Sequence, residues 1–302
     1  MGRTALARSG HAWFFDPHMR IWLLLLALLM PVTAQSHLPG TGSRAVELYE
    51  LAPSAPPPPV IKARSAILVD LDSGKILFQL DPHGRHAPAS LTKVVTALVA
   101  LDHLRLDQVV LVPASINQLP WDSTRMGLRA GERLTVRELM YGLFLNSGND
   151  AAITLSEAAM PRATFIALMN ARAAALGMTD THFVNPIGLD DPLHYTSAAD
   201  LSRAATELIR RFPEVAAMAA APSLALPATA THHVYALYNL NDLIRKYPGA
   251  TGLKTGWTGH AGGCLIATAT RGGRRLMVVL LASPRIFDEA ATLLDYGFAR
   301  PS

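Results

Sequence analysis

The sequence predicts an α+β fold, a single domain with two lobes. Three observations predict it. Strand-like apolar runs lie near both ends of the chain, at 65–80 and 265–281. Between them, apolar residues recur at helical spacing. The length, 302 residues, allows one large domain whose core needs no covalent staples. Early and late strands must therefore share one sheet, with the helices inserted as a lobe. A cleft between lobes is a natural place for a substrate.

The elements follow in chain order. Ile21–Met30 reads IWLLLLALLM, with Arg20 before it and the small-residue exit Val32-Thr33-Ala34 after it. Charged start, short apolar core and small-residue exit make residues 1–34 a secretory signal peptide. A bilayer-spanning helix needs about 20 apolar residues, twice this run, so the signal reading outranks an uncleaved anchor. Met19 is a second candidate start. The protein is expected to be exported to the periplasm. Residues 35–60 read as a Pro-rich linker, because APSAPPPP at 52–59 can form neither helix nor sheet ladder. The folded, catalytic domain is expected over 61–302.

Within it, Ser65–Leu71 and Lys75–Leu80 read as strands around the turn Asp72-Ser73-Gly74. Ser90–Leu104 carries Leu91, Val94, Val95, Leu98, Leu101 and Leu104 at helical spacing. Thr135–Leu145 and Asp150–Ala159 read as helices flanking the loop Asn146–Asn149. Thr164–Leu176 and Ala198–Arg211 are further helices. Leu265–Thr270 and Leu276–Leu281 are strands joined by Arg271-Gly272-Gly273, and Ile286–Phe298 is a closing helix.

Composition narrows the chemistry. A single cysteine rules out a disulfide framework and a cysteine-based zinc site. Cys264 sits in the apolar run GGCLIATAT and reads as a buried small side chain. The 11 histidines form no metal-ligand spacing, so neither metal nor cofactor is expected. His232-His233 reads as a solvated turn or strand pair. Net charge is +4, and +2 for a chain beginning at Gln35, too little for a nucleic-acid footprint. Only 5 of the 27 basic residues are lysines, so motifs that contain lysine are informative.

Three motifs stand out. Ser90-Leu91-Thr92-Lys93 places a hydroxyl and an amine on one helix face, about 5–6 Å apart at Cβ. Its bland reading is a helix cap at Ser90. Ser147-Gly148-Asn149 lies on the loop between two helices and alone is an ordinary turn. Lys254-Thr255-Gly256 falls on a late strand. Chance supplies roughly 0.3, 0.4 and 0.02 of these patterns respectively, about three in a thousand for all of them together.

The trio resembles that of penicillin-binding proteins and class A β-lactamases. Four longer stretches are similar to the low-molecular-mass penicillin-binding proteins, the serine D-alanyl-D-alanine carboxypeptidases: PASLTKVVTALVAL (88–101), GERLTVRELMYGLFLNSGNDAA (131–152), FVNPIGLDDPLHYTSAADL (183–201) and GLKTGWTGHAGGCLIATATRGGRRLMVVLLASP (252–284). The resemblance implies a mainly antiparallel sheet with flanking helices and an inserted helical lobe. It implies peptidoglycan stem peptides as substrates and β-lactam antibiotics as covalent inhibitors. Ser90 is the expected nucleophile and Lys93 its base, neutral through burial and the neighbouring Lys254. Ser147 would relay a proton and Asn149 would bind the substrate amide. Lys254 and Thr255 would hold the terminal carboxylate, with Arg285 a weaker candidate. Gly256 would let the peptide approach the strand edge. The N–H groups of Ser90 and Trp257 would, by the same resemblance, form an oxyanion hole.

Alternatives are a DD-endopeptidase, a β-lactamase and an inactive binding module. A class A β-lactamase uses a glutamate between the second and third motifs. Only Glu157, Glu207 and Glu214 lie there, none in the family's setting. Asp190-Asp191 and His194 read as parts of a structured loop, and Trp121-Asp122 as an edge of the cleft. The chain resembles the short members of the family, so no C-terminal membrane helix is expected.

Overall fold

The computed structural model describes residues 57–301. The expected signal peptide and all but the last residues of the Pro-rich linker lie outside them. The strands are β1 (Ser65–Asp70), β2 (Ile76–Leu80), β3 (Val109–Leu111), β4 (Arg133–Thr135), β5 (Ser223–Leu226), β6 (Tyr235–Tyr238), β7 (Ala250–Thr258), β8 (Gly262–Arg271) and β9 (Arg274–Ser283). The helices are α1 (Lys93–His103), α2 (Val136–Leu145), α3 (Asn149–Ala159), α4 (Arg162–Ala175), α5 (Ala198–Arg211), α6 (Pro213–Met218), α7 (Leu243–Lys246) and α8 (Ile286–Phe298).

Five strands form one antiparallel sheet in the order β2-β1-β9-β8-β7. The early hairpin thus pairs directly with the last strand, as the α+β reading requires. Asp70 closes that hairpin. Its Oδ1 accepts the N–H groups of Asp72 and Ser73, each at 3.0 Å, and its Oδ2 accepts Arg274 Nε at 2.7 Å. Burial alone would raise the Asp70 pKa, but the Ser73, Asp72 and Arg274 donors outweigh it and hold it at about 2.

Both sheet faces are covered. Ala66, Leu68, Leu265, Ala267, Val278 and Leu280 pack on α8. Their alternate neighbours Ile67, Val69, Ile266, Val279 and Leu281 join the larger core beneath α1 and α5. A strand's two faces alternate, so burial of both gives the continuous apolar runs seen in the sequence. Helix α1 is buried all round from Lys93 to Ala100, which marks it as the central core helix. Thr135 starts α2 with a capping box: Glu138 N–H donates to Thr135 Oγ1 and Thr135 N–H to Glu138 Oε2. Glu289 ties the domain's first residues to α8 by accepting the N–H groups of Lys62 and Ala63 and the Ser283 hydroxyl.

The structure departs from the sequence reading at short elements. The antiparallel pairs β3–β4 and β5–β6 have strands of three or four residues, too short to show a period of two. The expected helix from Ser90 is also divided. Its first turn, Ala89–Thr92, is a 3-10 turn, and the α-helix begins at Lys93. His232-His233 is not solvated: His232 is buried, and the two rings pack against Tyr235 beside Glu132 and Glu138. Cys264 is fully buried, and burial pushes its thiol up to about 12, so it is inert.

Candidate active site

The Ala89–Thr92 turn is wedged between two glycines. A Cβ at Gly188 would lie 1.9 Å from Ala89 O, and one at Gly256 would lie 2.9 Å from Ser90 N. Gly256 therefore serves the approach of β7 to the Ser90 turn. Ala89 itself has φ 47°, a left-handed conformation that costs energy for a residue with a Cβ. A hydrogen-bond chain holds it there. His194 Nε2 lies 2.9 Å from Thr92 Oγ1, and that hydroxyl donates to Ala89 O at 2.9 Å. Val184 N–H donates to His194 Nδ1, so Nε2 carries the proton and donates. Burial is the main cause that lowers the His194 pKa to about 4, with Asp191 opposing.

Ser90 caps no helix through its side chain. Its Oγ lies 2.7 Å from Lys93 Nζ, which donates to Ile187 O at 2.7 Å. Lys93 is fully buried. Its pKa falls well below the usual lysine value, first through burial and then through the charge of Lys254, with Asp150 opposing. Burial lowers Lys254 to about 7. Lys254 Nζ donates to Thr255 O at 2.8 Å.

Ser147 has φ 55° on the turn between α2 and α3. Its carbonyl accepts Thr124 Oγ1 at 2.9 Å, and Asn149 N–H donates to Thr124 O at 2.8 Å. Asp150 fixes this arrangement. Its buried carboxylate accepts the N–H groups of Met126, Gly127 and Leu128, each at 2.9 Å. The Asn149 side-chain oxygen is buried with no hydrogen-bond partner. An orphaned acceptor in a cleft is poised for a ligand donor.

Ser90, Ser147, Asn149, Thr255, Gly256 and Trp257 line one cleft of about 430 Å³. Lys93 and Lys254 lie buried behind its wall. Arg285 stands exposed and does not line it. Among the glutamates weighed for β-lactamase chemistry, Glu157 accepts Ser115 Oγ, Glu207 pairs with Arg210 and Glu214 with Arg137. None lines the cleft. Sequence reasoning missed Asp150 and Thr124, whose side chains bond backbone groups, and Ile187, which acts through its carbonyl; none leaves a side-chain spacing to read.

A family model for D-alanyl-D-alanine carboxypeptidase matches residues 52–284. The chain belongs to this family. A D-alanyl-D-alanine carboxypeptidase of Mycobacterium tuberculosis is 39% identical over 78% of this chain and 82% of its own length. One of Bacillus subtilis is 34% identical over 79% of this chain, which spans 63% of that relative. A crystal structure of a mycobacterial D-alanyl-D-alanine carboxypeptidase, 38% identical, superposes with a TM-score of 0.75 over 82% of this chain and 96% of the other. A variant of a Streptomyces DD-transpeptidase, 29% identical, does so with 0.75 over 80% of this chain and all of the other. Among the described residues of this D-alanyl-D-alanine carboxypeptidase family member, no helix is long and apolar enough to cross a membrane.

Proposed function

We propose that the protein is a serine D-alanyl-D-alanine carboxypeptidase that removes the terminal D-Ala of peptidoglycan stem peptides. The observation that carries this reading is Lys93 Nζ 2.7 Å from Ser90 Oγ, buried, with a second buried lysine adjacent. A serine hydroxyl is a weak nucleophile until a base takes its proton, and a lysine is a base only when neutral. Burial and the Lys254 charge favour that neutral form.

Ser90 Oγ attacks the penultimate D-Ala carbonyl while its proton passes to Lys93. The N–H groups of Ser90 and Trp257 receive the developing oxyanion, at about 3–4 kcal/mol per donor. The C–N bond breaks as a proton returns from Lys93, relayed by Ser147, to the leaving D-Ala nitrogen. Water then attacks the ester. Lys93 takes the water proton and returns it to Ser90 Oγ. The Asn149 amide binds the substrate backbone, and Lys254 with Thr255 binds the terminal carboxylate.

Penicillin carries the same carboxylate and acylates the same oxygen in this scheme. A labelled penicillin is expected to add covalently to the wild type and not to Ser90→Ala; equal labelling would sink the assignment. Mass analysis of purified muropeptides separates the endopeptidase alternative. Loss of terminal D-Ala with persisting crosslinked dimers is expected, and conversion of dimers to monomers would replace the carboxypeptidase by an endopeptidase. We further infer export with cleavage after Ala34, supported by Arg20, the short apolar run and Val32-Thr33-Ala34. N-terminal sequencing of the exported form should begin at Gln35.

A further inference from the structure

Behind the nucleophile turn lies a second cavity, of about 320 Å³, whose lining includes Arg64, Arg85, His86, His194, Tyr195 and His260. It shares no lining residue with the catalytic cleft. The acyl-transfer steps give Arg64, Arg85, His86 and His260 no task.

The cavity is positively charged. Arg64 and Arg85 stand against one carboxylate, Asp191, whose Oδ1 already accepts Leu193 N–H at 2.8 Å. The Arg64 side chain is exposed and makes no ion pair or hydrogen bond among the described residues. Arg85 is held in place over the Tyr195 ring, 5.0 Å from its centroid, and its contacts with Asp180 Oδ1 are long, at 3.4 Å. His86 is anchored by its backbone, which exchanges two hydrogen bonds with Thr196 at 2.8 and 2.9 Å. Its Nε2 is nevertheless buried with no hydrogen-bond partner. Such a nitrogen is a polar group that lacks its ligand. Ala282, on the same wall, has φ 52°. That conformation costs energy in a residue with a Cβ, and such strain clusters at ligand clamps.

We propose that this cavity binds a phosphate group, at a site separate from the reaction centre. The basic groups come from three segments: Arg64 just before β1, Arg85 and His86 ahead of the nucleophile turn, and His260 on the turn between β7 and β8. A tetrahedral phosphate presents oxygens in several directions at once, whereas a carboxylate presents two in one plane. Guanidinium forks match those oxygens, and the imidazoles add donors. The cavity continues into a neighbouring groove through Arg64, His260, Ala261 and Ala282, towards Ser283 and Pro284. A phosphate ester therefore has room for its substituent. The ligand is a free phosphate or the phosphodiester of a lipid headgroup. Binding here needs neither Ser90 nor Lys93.

Thermal unfolding tests the site without a catalytic readout. An open site of this kind is expected to have a Kd of about 1 mM. Inorganic phosphate at about 10 mM should then raise the wild-type Tm by about 3 °C over chloride at equal ionic strength. Arg64→Gln and His260→Gln should each shrink that shift, and Arg64→Glu should abolish it. Arg105→Glu makes the same change of charge at a side chain 82% exposed and outside the cavity, and should keep the shift. General salting-out by phosphate acts on all these proteins alike. No shift beyond chloride in wild type, or an equal shift in Arg64→Glu, overturns the site. Sedimentation with phosphatidylglycerol vesicles, against phosphatidylcholine vesicles, separates the two sources. Pelleting that Arg64→Glu abolishes makes a lipid phosphodiester the ligand. No pelleting, or pelleting that survives Arg64→Glu, leaves free phosphate as the ligand of a site that the Tm shift has established.

Discussion

Gly256 shows how little room the nucleophile turn leaves. A methyl there would meet Ser90 N at 2.9 Å and Leu91 N at 3.3 Å, both backbone atoms that cannot swing away. Gly256→Ala should therefore slow penicillin acylation by at least about tenfold while leaving the circular dichroism spectrum unchanged, since misplacement of a reacting group by a fraction of an ångström is costly. Undiminished acylation would show that the turn adapts. Lys93→Arg keeps a cation that does not deprotonate in proteins and should abolish acylation in a folded enzyme. Lys254 gives a pH dependence of a different sign. Its pKa of about 7 means that its charge is lost as pH rises through neutrality. Carboxylate binding should then weaken and KM should rise, whereas on the acid side the rate falls as Lys93 is protonated. A pH profile of kcat/KM with no alkaline decline would contradict this role of Lys254. The pairing of Ser90 with Lys93 was legible in the sequence because helical spacing of three sets it. The reason for Gly256 was not, because it depends on a turn 166 positions earlier in the chain.

At the scale of elements, the reading was good where periodicity had length to show itself. Helix α5 begins and ends at Ala198 and Arg211, as its spacing predicts, and α8 likewise matches Ile286–Phe298. The buried strands β8 and β9 extend beyond their apolar cores because Gly, Thr and Arg at their ends continue the ladder without an apolar signal. The loop from 119 to 128 was illegible, since its shape comes from Arg125 donating to carbonyls and Asp150 accepting backbone N–H groups. Asp150 looks in the sequence like an ordinary acidic residue in a helix's first turn. In the structure it joins α3 to the cleft rim. Asp150→Ala would strand those buried N–H groups, and a stability loss of about 3 kcal/mol or more is expected. Urea titration measures it. A loss below about 1 kcal/mol would mean that water replaces the carboxylate and that Asp150 is not the clamp. The same variant should lose acylation, because Thr124 and the Ser147 turn lose their anchor.

For the whole molecule, the sheet is enclosed by apolar packing on both faces, so the groups that make stability depend on pH sit at its margins. Besides the two site lysines, three have resolved shifts of useful size. Asp70 closes the first hairpin, with a pKa of about 2. Glu132 is also at about 2: burial would raise it, but the Tyr235 hydroxyl and His233 outweigh that. His194, buried under the nucleophile turn, is at about 4 against an ordinary value of 6.5. All are depressed on folding, so each contributes stability that is present above its unfolded value and lost as pH falls through its folded one. His194 acts first. Between pH 6.5 and 4 the unfolded chain takes up a proton that the folded protein resists, which costs the fold up to about 3 kcal/mol. The carboxylates follow only below about pH 4.5. Acid should therefore weaken the protein in two stages, with the urea midpoint falling between pH 7 and 4.5 before any carboxylate titrates appreciably. His194→Gln keeps a donor that can reach Thr92 but has no titrating ring. It should shrink the first stage and leave the second, and its acylation rate at pH 5 should hold up better relative to pH 7 than that of wild type. If the wild-type midpoint stays flat down to pH 4.5, His194 is solvated and free to protonate, and the hydrogen-bond chain through Thr92 to Ala89 does not hold the turn.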